Sequence, residues 1–214
     1  MNRRIPMFAI AFVLLTHSIS LAQSQDLPKF EIGGEFSSLA RESFETRMEP
    51  GVGARFTFNL NRSVAFETAG YFYPQKCFSC RNGGNMSQFV AGVKVGKRFE
   101  KWGIFGKARP GVVSFSRGEF DVGPAAPGSS FPFDVEINRT NSFAADLGGV
   151  VEFYPTKKIV TRFDAGDTII HFGRRTINGV AFDSITQQVT FIPITQPART
   201  THNFQFTAGV GFRF

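Results

Sequence analysis

The sequence predicts an all-β chain, an eight-stranded antiparallel up-and-down transmembrane β-barrel, on three observations. Segments of about ten residues alternate apolar and polar, the connections between them alternate short and long, and the charges fall on one phase of the alternation. Composition agrees, because 27 Phe and 22 Gly in 214 residues suit tilted, packed strands, whereas a soluble core leans on Leu, Ile and Val.

The first element is a leader. Met1-Asn2-Arg3-Arg4 precedes an apolar stretch from Ile5 to Leu15 and the ending Ser20-Leu21-Ala22, the layout of a secretory signal peptide cut after Ala22. That stretch is roughly half the ~20 residues a spanning helix needs. Residues 1–22 are therefore read as signal and residues 23–214 as one barrel domain. No Cys stands at the expected cut, so no lipoprotein-type anchor is expected. Beyond Leu15 no apolar run is long enough for a membrane helix, and a chain that spans a bilayer without one must do so as a closed barrel. Arg3 and Arg4 supply two of the +7 formal charges. The remaining cations are scattered at alternating positions, whereas a nucleic-acid surface gathers them on one face, so no nucleic-acid partner is expected.

The strands follow in order. Phe30, Ile32, Gly34 and Phe36 alternate with Lys29, Glu31, Gly33 and Glu35; Val52, Ala54, Phe56, Phe58 and Leu60 alternate with Gly51, Gly53, Arg55, Thr57 and Asn59. After the tight Asn61-Arg62 turn, Val64, Phe66, Thr68, Gly70 and Phe72 oppose Ala65, Glu67, Ala69 and Tyr71. A fourth strand sets Phe89, Ala91, Val93 and Val95 against Gln88, Gly92, Lys94, Gly96 and Arg98, and Glu100-Lys101 turns the chain. The fifth, from Trp102, carries Ile104, Gly106, Ala108, Pro110 and Val112 opposite Lys107, Arg109 and Gly111, with Pro110 a weak point because it cannot donate to a ladder. The sixth opposes Phe143, Ala145, Leu147, Gly149, Val151 and Phe153 to Ala144, Asp146, Gly148 and Glu152; Pro155 to Lys157 turn it. The seventh, Ile159 to Gly166, is the least regular, and the eighth, Asn203 to Phe214, the clearest. Links spanning roughly 38–48, 74–85, 116–139 and 171–200 are long; in such barrels short turns face the periplasm and long loops the outside, which puts both mature termini on the periplasmic side.

Phasing the strands collects Glu31, Glu35, Arg55, Glu67, Lys94, Arg98, Lys107, Arg109, Asp146, Glu152, Arg162, Asp164 and Arg213 on one face, seven cations and six anions. The opposite face has Lys97 and Asp167 as exceptions near strand ends. Charges buried in a narrow interior need partners, so the near balance predicts interlocking ion pairs in a lumen that side chains fill. That lumen is readable as a polar core that keeps the barrel closed or as a gated conduit. A lipocalin is the rival fold, also eight-stranded and up-and-down but with apolar residues inside.

The pattern resembles the small bacterial outer-membrane β-barrel families typified by the OmpA transmembrane domain, OmpX and the opacity-type proteins, over residues 23–214. The ending Phe204-Gln205-Phe206-Thr207-Ala208-Gly209-Val210-Gly211-Phe212-Arg213-Phe214 is similar to that family's insertion signal. The resemblance implies that Phe204, Phe206, Val210, Phe212 and Phe214 are read by the barrel-assembly machinery. Full-length OmpA-like proteins carry a peptidoglycan-binding domain after the barrel; here the sequence stops at Phe214, and a cell-wall tether is not implied.

Few residues suggest chemistry. Cys77-Phe78-Ser79-Cys80, beside Asn82-Gly83-Gly84-Asn85 in the second long link, reads as a local loop disulfide in an oxidising compartment; a redox motif lacks its βαβ context, and zinc lacks further ligands. Barrel enzymes need a nucleophile, base and orienting group at the outer rim, for which the mature chain offers His171 and His202 with Asp167, Asp183 and Ser184. Apolar loop residues Phe120, Phe131 and Phe133, and the run Val189 to Ile194, would either bind a partner or extend the sheet above the membrane. The expectation is a non-enzymatic, monomeric outer-membrane protein with a structural or surface-interaction role, needing no metal or cofactor, with membrane lipid and lipopolysaccharide as partners. A narrow porin-like pore is the alternative, and a lipid-modifying enzyme the third reading.

Overall fold

Alternation of period two carries the chain through twelve β-strands among the residues described in the computed structural model, 27–41, 47–74, 85–122, 133–137, 139–183 and 188–214. They are β1 (Phe30–Arg41), β2 (Arg47–Asn59), β3 (Val64–Tyr73), β4 (Met86–Arg98), β5 (Trp102–Phe115), β6 (Gly118–Val122), β7 (Phe133–Ile137), β8 (Thr140–Phe153), β9 (Ile159–Phe172), β10 (Arg175–Asp183), β11 (Gln188–Gln196) and β12 (Arg199–Arg213). Eight of them close a barrel in the order β1-β12-β9-β8-β5-β4-β3-β2. Ala22 with the leader, Ser184, Phe131 and the Cys77/Cys80 pair lie outside the described residues.

The seam that closes the barrel is a regular antiparallel ladder, from Glu31↔Arg213 to Ala40↔Phe204. Phe30 and Phe214 exchange backbone hydrogen bonds of 2.9 Å at its end. The short turns are set locally. Asn61 Oδ1 accepts from the backbone N–H groups of Ser63 and Val64, both at 2.8 Å, and Thr156 Oγ1 accepts from those of Lys158 at 3.2 Å and Ile159 at 3.0 Å. Such side chains mimic a backbone turn and so hold a tight reversal. At the middle turn the rings of Phe99 and Trp102 stack with centroids 4.3 Å apart.

One expectation is sharpened and one needs correction. Of the readings offered for the links 116–139 and 171–200, further sheet is what the structure shows: β6 pairs with β7, and β10 with β11, as separate two-stranded hairpins. The first link is also shorter than its composition implied, because β1 and β2 remain paired up to Arg41↔Arg47. In each case backbone hydrogen bonding continues past the point where the apolar outer face ends, since the ladder needs partners and not lipid.

Pro110 interrupts the sheet where expected. Between Val90↔Gly111 and Val93↔Ala108 the β4–β5 register lacks its two intervening pairs, while Pro110 stays opposite Ala145 on the β8 side. Close approach marks another position: a Cβ on Gly53 would stand 2.4 Å from the Tyr71 ring, and one on Gly51 2.5 Å from the Tyr73 ring. Those glycines leave room for two tyrosines to lie across the inner wall.

Candidate functional site

The inner face carries a charged network toward the short turns and an uncharged cluster toward the long links. Nearest the short turns, Glu31 is met by Arg98 at 3.4 Å and Arg213 at 3.3 Å, while the Asn59 amide donates to Glu31 at 2.9 Å. Arg98 donates to the Tyr154 hydroxyl at 2.9 Å, and that hydroxyl donates to Glu152 at 2.8 Å. Tyr154 also lies under the Arg213 guanidinium, 4.3 Å from it.

The charged layer proper sits above. Arg55 reaches Glu35 at 2.7 Å and Glu31 at 3.6 Å, Lys94 bridges Glu152 and Glu67, and Lys107 bridges Asp146 at 2.9 Å and Asp164 at 3.1 Å. Arg109 pairs with Asp146. Arg162 is the hub, pairing with Glu67 through both guanidinium nitrogens and with Asp164 at 3.0 Å, with Glu35 and Glu152 within 4 Å. All thirteen phased charges therefore face the interior and join one connected network. Twelve are buried by whole-residue exposure and Arg98 nearly so, its side chain 6% exposed.

Above the charges lies an uncharged polar layer. Tyr71 donates to Glu35 at 2.7 Å. The Gln205 amide donates to the Tyr73 hydroxyl at 2.9 Å and to Ser37 at 3.1 Å, with Gln88 and Thr168 completing the set. Interleaved with these polar groups, Leu39, Met86, Val90, Val113, Ala144 and Ile170 form one buried cluster with Tyr71 and Tyr73, and Phe115 and Phe172 pack against it. Reading by charge missed both uncharged sets. The signal was present, since Val90 and Val113 share the inward phase of Lys94 and Arg109, but a search for polar residues on that phase passes over a Val.

The outer face is the reverse. Ile32, Phe36, Val52, Phe89, Ile104, Val112, Phe143 and Val210 are each at least half exposed, as are Phe204 and Phe214 of the last strand, with Phe206 and Phe212 somewhat less so. Charges in and hydrocarbon out is the opposite of lipocalin phasing, and water would not tolerate an apolar belt around the whole wall.

His171 and His202 lie on that outer face and form no triad among the described residues. His202 Nδ1 is 2.6 Å from Asp167 Oδ2, whose Oδ1 accepts from the Asn203 backbone N–H at 3.0 Å. His171 Nδ1 is 3.0 Å from Thr200 Oγ1. Asp167 is not near a strand end, as its outward charge suggested; it stands well inside β9, opposite Phe204. The Asp183 side chain and all of Ser184 are outside what is described. Among the described residues no group of three or more His, Cys, Asp or Glu could hold a metal ion.

A closed eight-stranded wall around a charged interior, with an apolar exterior, defines a small transmembrane β-barrel of the outer-membrane type. No family model matches the chain, and no curated protein matches it. Among solved structures the chain is similar to Neisserial surface protein A, at 12% identity and a TM-score of 0.48, over 86% of this chain and 96% of that one. It is similar to the N-terminal β-barrel domain of Pseudomonas aeruginosa OprF at 12% identity and a TM-score of 0.46, covering 86% and 97%. A third is Ail, the attachment invasion locus protein of Yersinia pestis, in complex with the heparin analogue sucrose octasulfate, at 13% identity and 0.45, covering 86% and 96%.

Proposed function

We propose that this chain is a non-enzymatic, monomeric protein of the bacterial outer membrane, whose barrel is a sealed anchor and whose long links carry its surface interactions. The observation that carries this reading is the filled interior: a connected salt-bridge network and, toward the long links, a buried cluster of Leu39, Met86, Val90, Val113 and Ile170 packed with Tyr71 and Tyr73. An ion crossing it would have to part several buried pairs and displace packed side chains, and each step is expensive. The longer links stand on the cell exterior and both mature termini on the periplasmic side, as alternating turn lengths favour. Lipopolysaccharide surrounds the outer half, and the barrel-assembly machinery engages the Phe204-to-Phe214 strand during insertion.

Single-channel recording in planar bilayers tests the sealed anchor against a narrow pore. Silent insertion of heat-modifiable barrel is expected; regular conductance steps that vanish in an Arg162 variant would instead support the pore. The Asp167–His202 pair favours a second reading, an enzyme acting on membrane lipid. Release of fatty acid from mixed phospholipid vesicles, lost on His202→Phe, would support it; no release is expected.

A further inference from the structure

We propose that the short-turn end of the β1–β12 seam binds one anionic phospholipid from the leaflet it faces. Two hollows adjoin there. A cleft of about 420 Å³ is lined by Lys29, Lys157, Lys158 and Arg213 with Phe30 and Phe214. A groove of about 330 Å³ runs up the outer wall of the same seam between Ile32, Gly34, Val210 and Phe212. The register Ile32↔Phe212 and Gly34↔Val210, with Phe30 bonded to Phe214 just below, sets the groove directly above the cleft.

The chemistry of each hollow fits one end of such a lipid. In the cleft, Arg213 is committed to Glu31 at 3.3 Å. Lys29, Lys157 and Lys158 are exposed, and among the described residues no carboxylate side chain lines the space with them. Three ammonium groups at the lower edge of the apolar belt stand at headgroup depth, where they attract anionic lipid; a zwitterionic headgroup would bring its own ammonium against them. In the groove, a Cβ added to Gly34 would meet nothing within 4 Å, and Ile32 and Val210 wall the space at 55% and 58% exposure. That is an open apolar track for a fatty-acyl chain rising from the cleft.

The inference rests on the barrel spanning the membrane, which heat-modifiable gel mobility reports separately before any lipid is added. The full chain, expressed with its leader, extracted and delipidated in mild detergent, is titrated with phosphatidylglycerol, with phosphatidylcholine of the same acyl chains, and with inorganic phosphate, and read by native mass spectrometry. One phosphatidylglycerol is expected to bind with roughly tenfold preference over phosphatidylcholine. The Lys29→Gln/Lys157→Gln/Lys158→Gln variant should lose the preference, and Gly34→Phe should weaken both lipids, each with its heat shift retained. Equal binding of the two lipids, a preference that survives the triple substitution, displacement of the lipid by equimolar inorganic phosphate, or a second copy of the chain in place of lipid would each overturn it.

Discussion

Arg162 shows what a single interior residue controls. Its guanidinium answers Glu67 and Asp164 at once from a fully buried position. Arg162→Met should therefore destabilise the barrel by about 3–5 kcal/mol, the cost of leaving buried charge uncompensated, seen as a lower urea midpoint for the heat-modifiable band. Gly53 acts by being absent: Gly53→Val pushes the Tyr71 ring from the wall and breaks its bond to Glu35, and a loss of about 1–3 kcal/mol is expected in the same assay. On the outside, His202→Leu strips Asp167 of its partner in hydrocarbon. A loss of about 1.5–3 kcal/mol is expected, while Asp167→Leu combined with His202→Leu should recover most of it, because the pair then leaves together. A surface pair in water would be worth about 1 kcal/mol or less, so this cycle also reports lipid exposure.

At the scale of elements, the β4–β5 ladder and the upper hairpins are the informative parts. Pro110→Val restores a backbone donor where two register pairs are missing, and a gain of about 0.5–1.5 kcal/mol in unfolding free energy is the expected result. Among the described residues the β10–β11 backbone ladder pairs only within itself, with one side-chain bond from Arg175 to Thr140 of the wall. Replacing residues 174–197 by a short Gly-rich link should leave heat-modifiable mobility intact, since the barrel wall loses no ladder partner. The eight wall strands were legible because each strand buries one face in each of two unlike media, which writes a period of two into residues such as Val52 to Leu60. The hairpins were not, because β10 and β11 place apolar residues such as Ile177, Val180, Phe191 and Ile192 at both phases, and without two media there is no alternation to read.

At the scale of the molecule, the layers of the interior decide what the barrel does. A lumen filled only with ion pairs would leave conduction open, since charged rings line many pores. The polar set of Tyr73, Gln88 and Gln205 and the apolar residues packed with it fill the long-link end, and on the proposed sealed-anchor reading silent insertion into bilayers is the expected outcome. The same division explains the seam: its outer groove and basic cleft belong to no single strand and exist only once β12 has returned to β1.

The sequence by itself determined which side chains share a face, because the pleat alternates strictly and two media sort the residues; the closed structure decided that the charged face is the inner one. Only the tertiary structure decided the partners. Arg162 and Glu67 are 95 positions apart, and Lys107 meets Asp164 across 57. The stagger between neighbouring strands, accumulated around a closed ring, sets which level of one strand faces which level of another, and that sum is a property of the whole barrel.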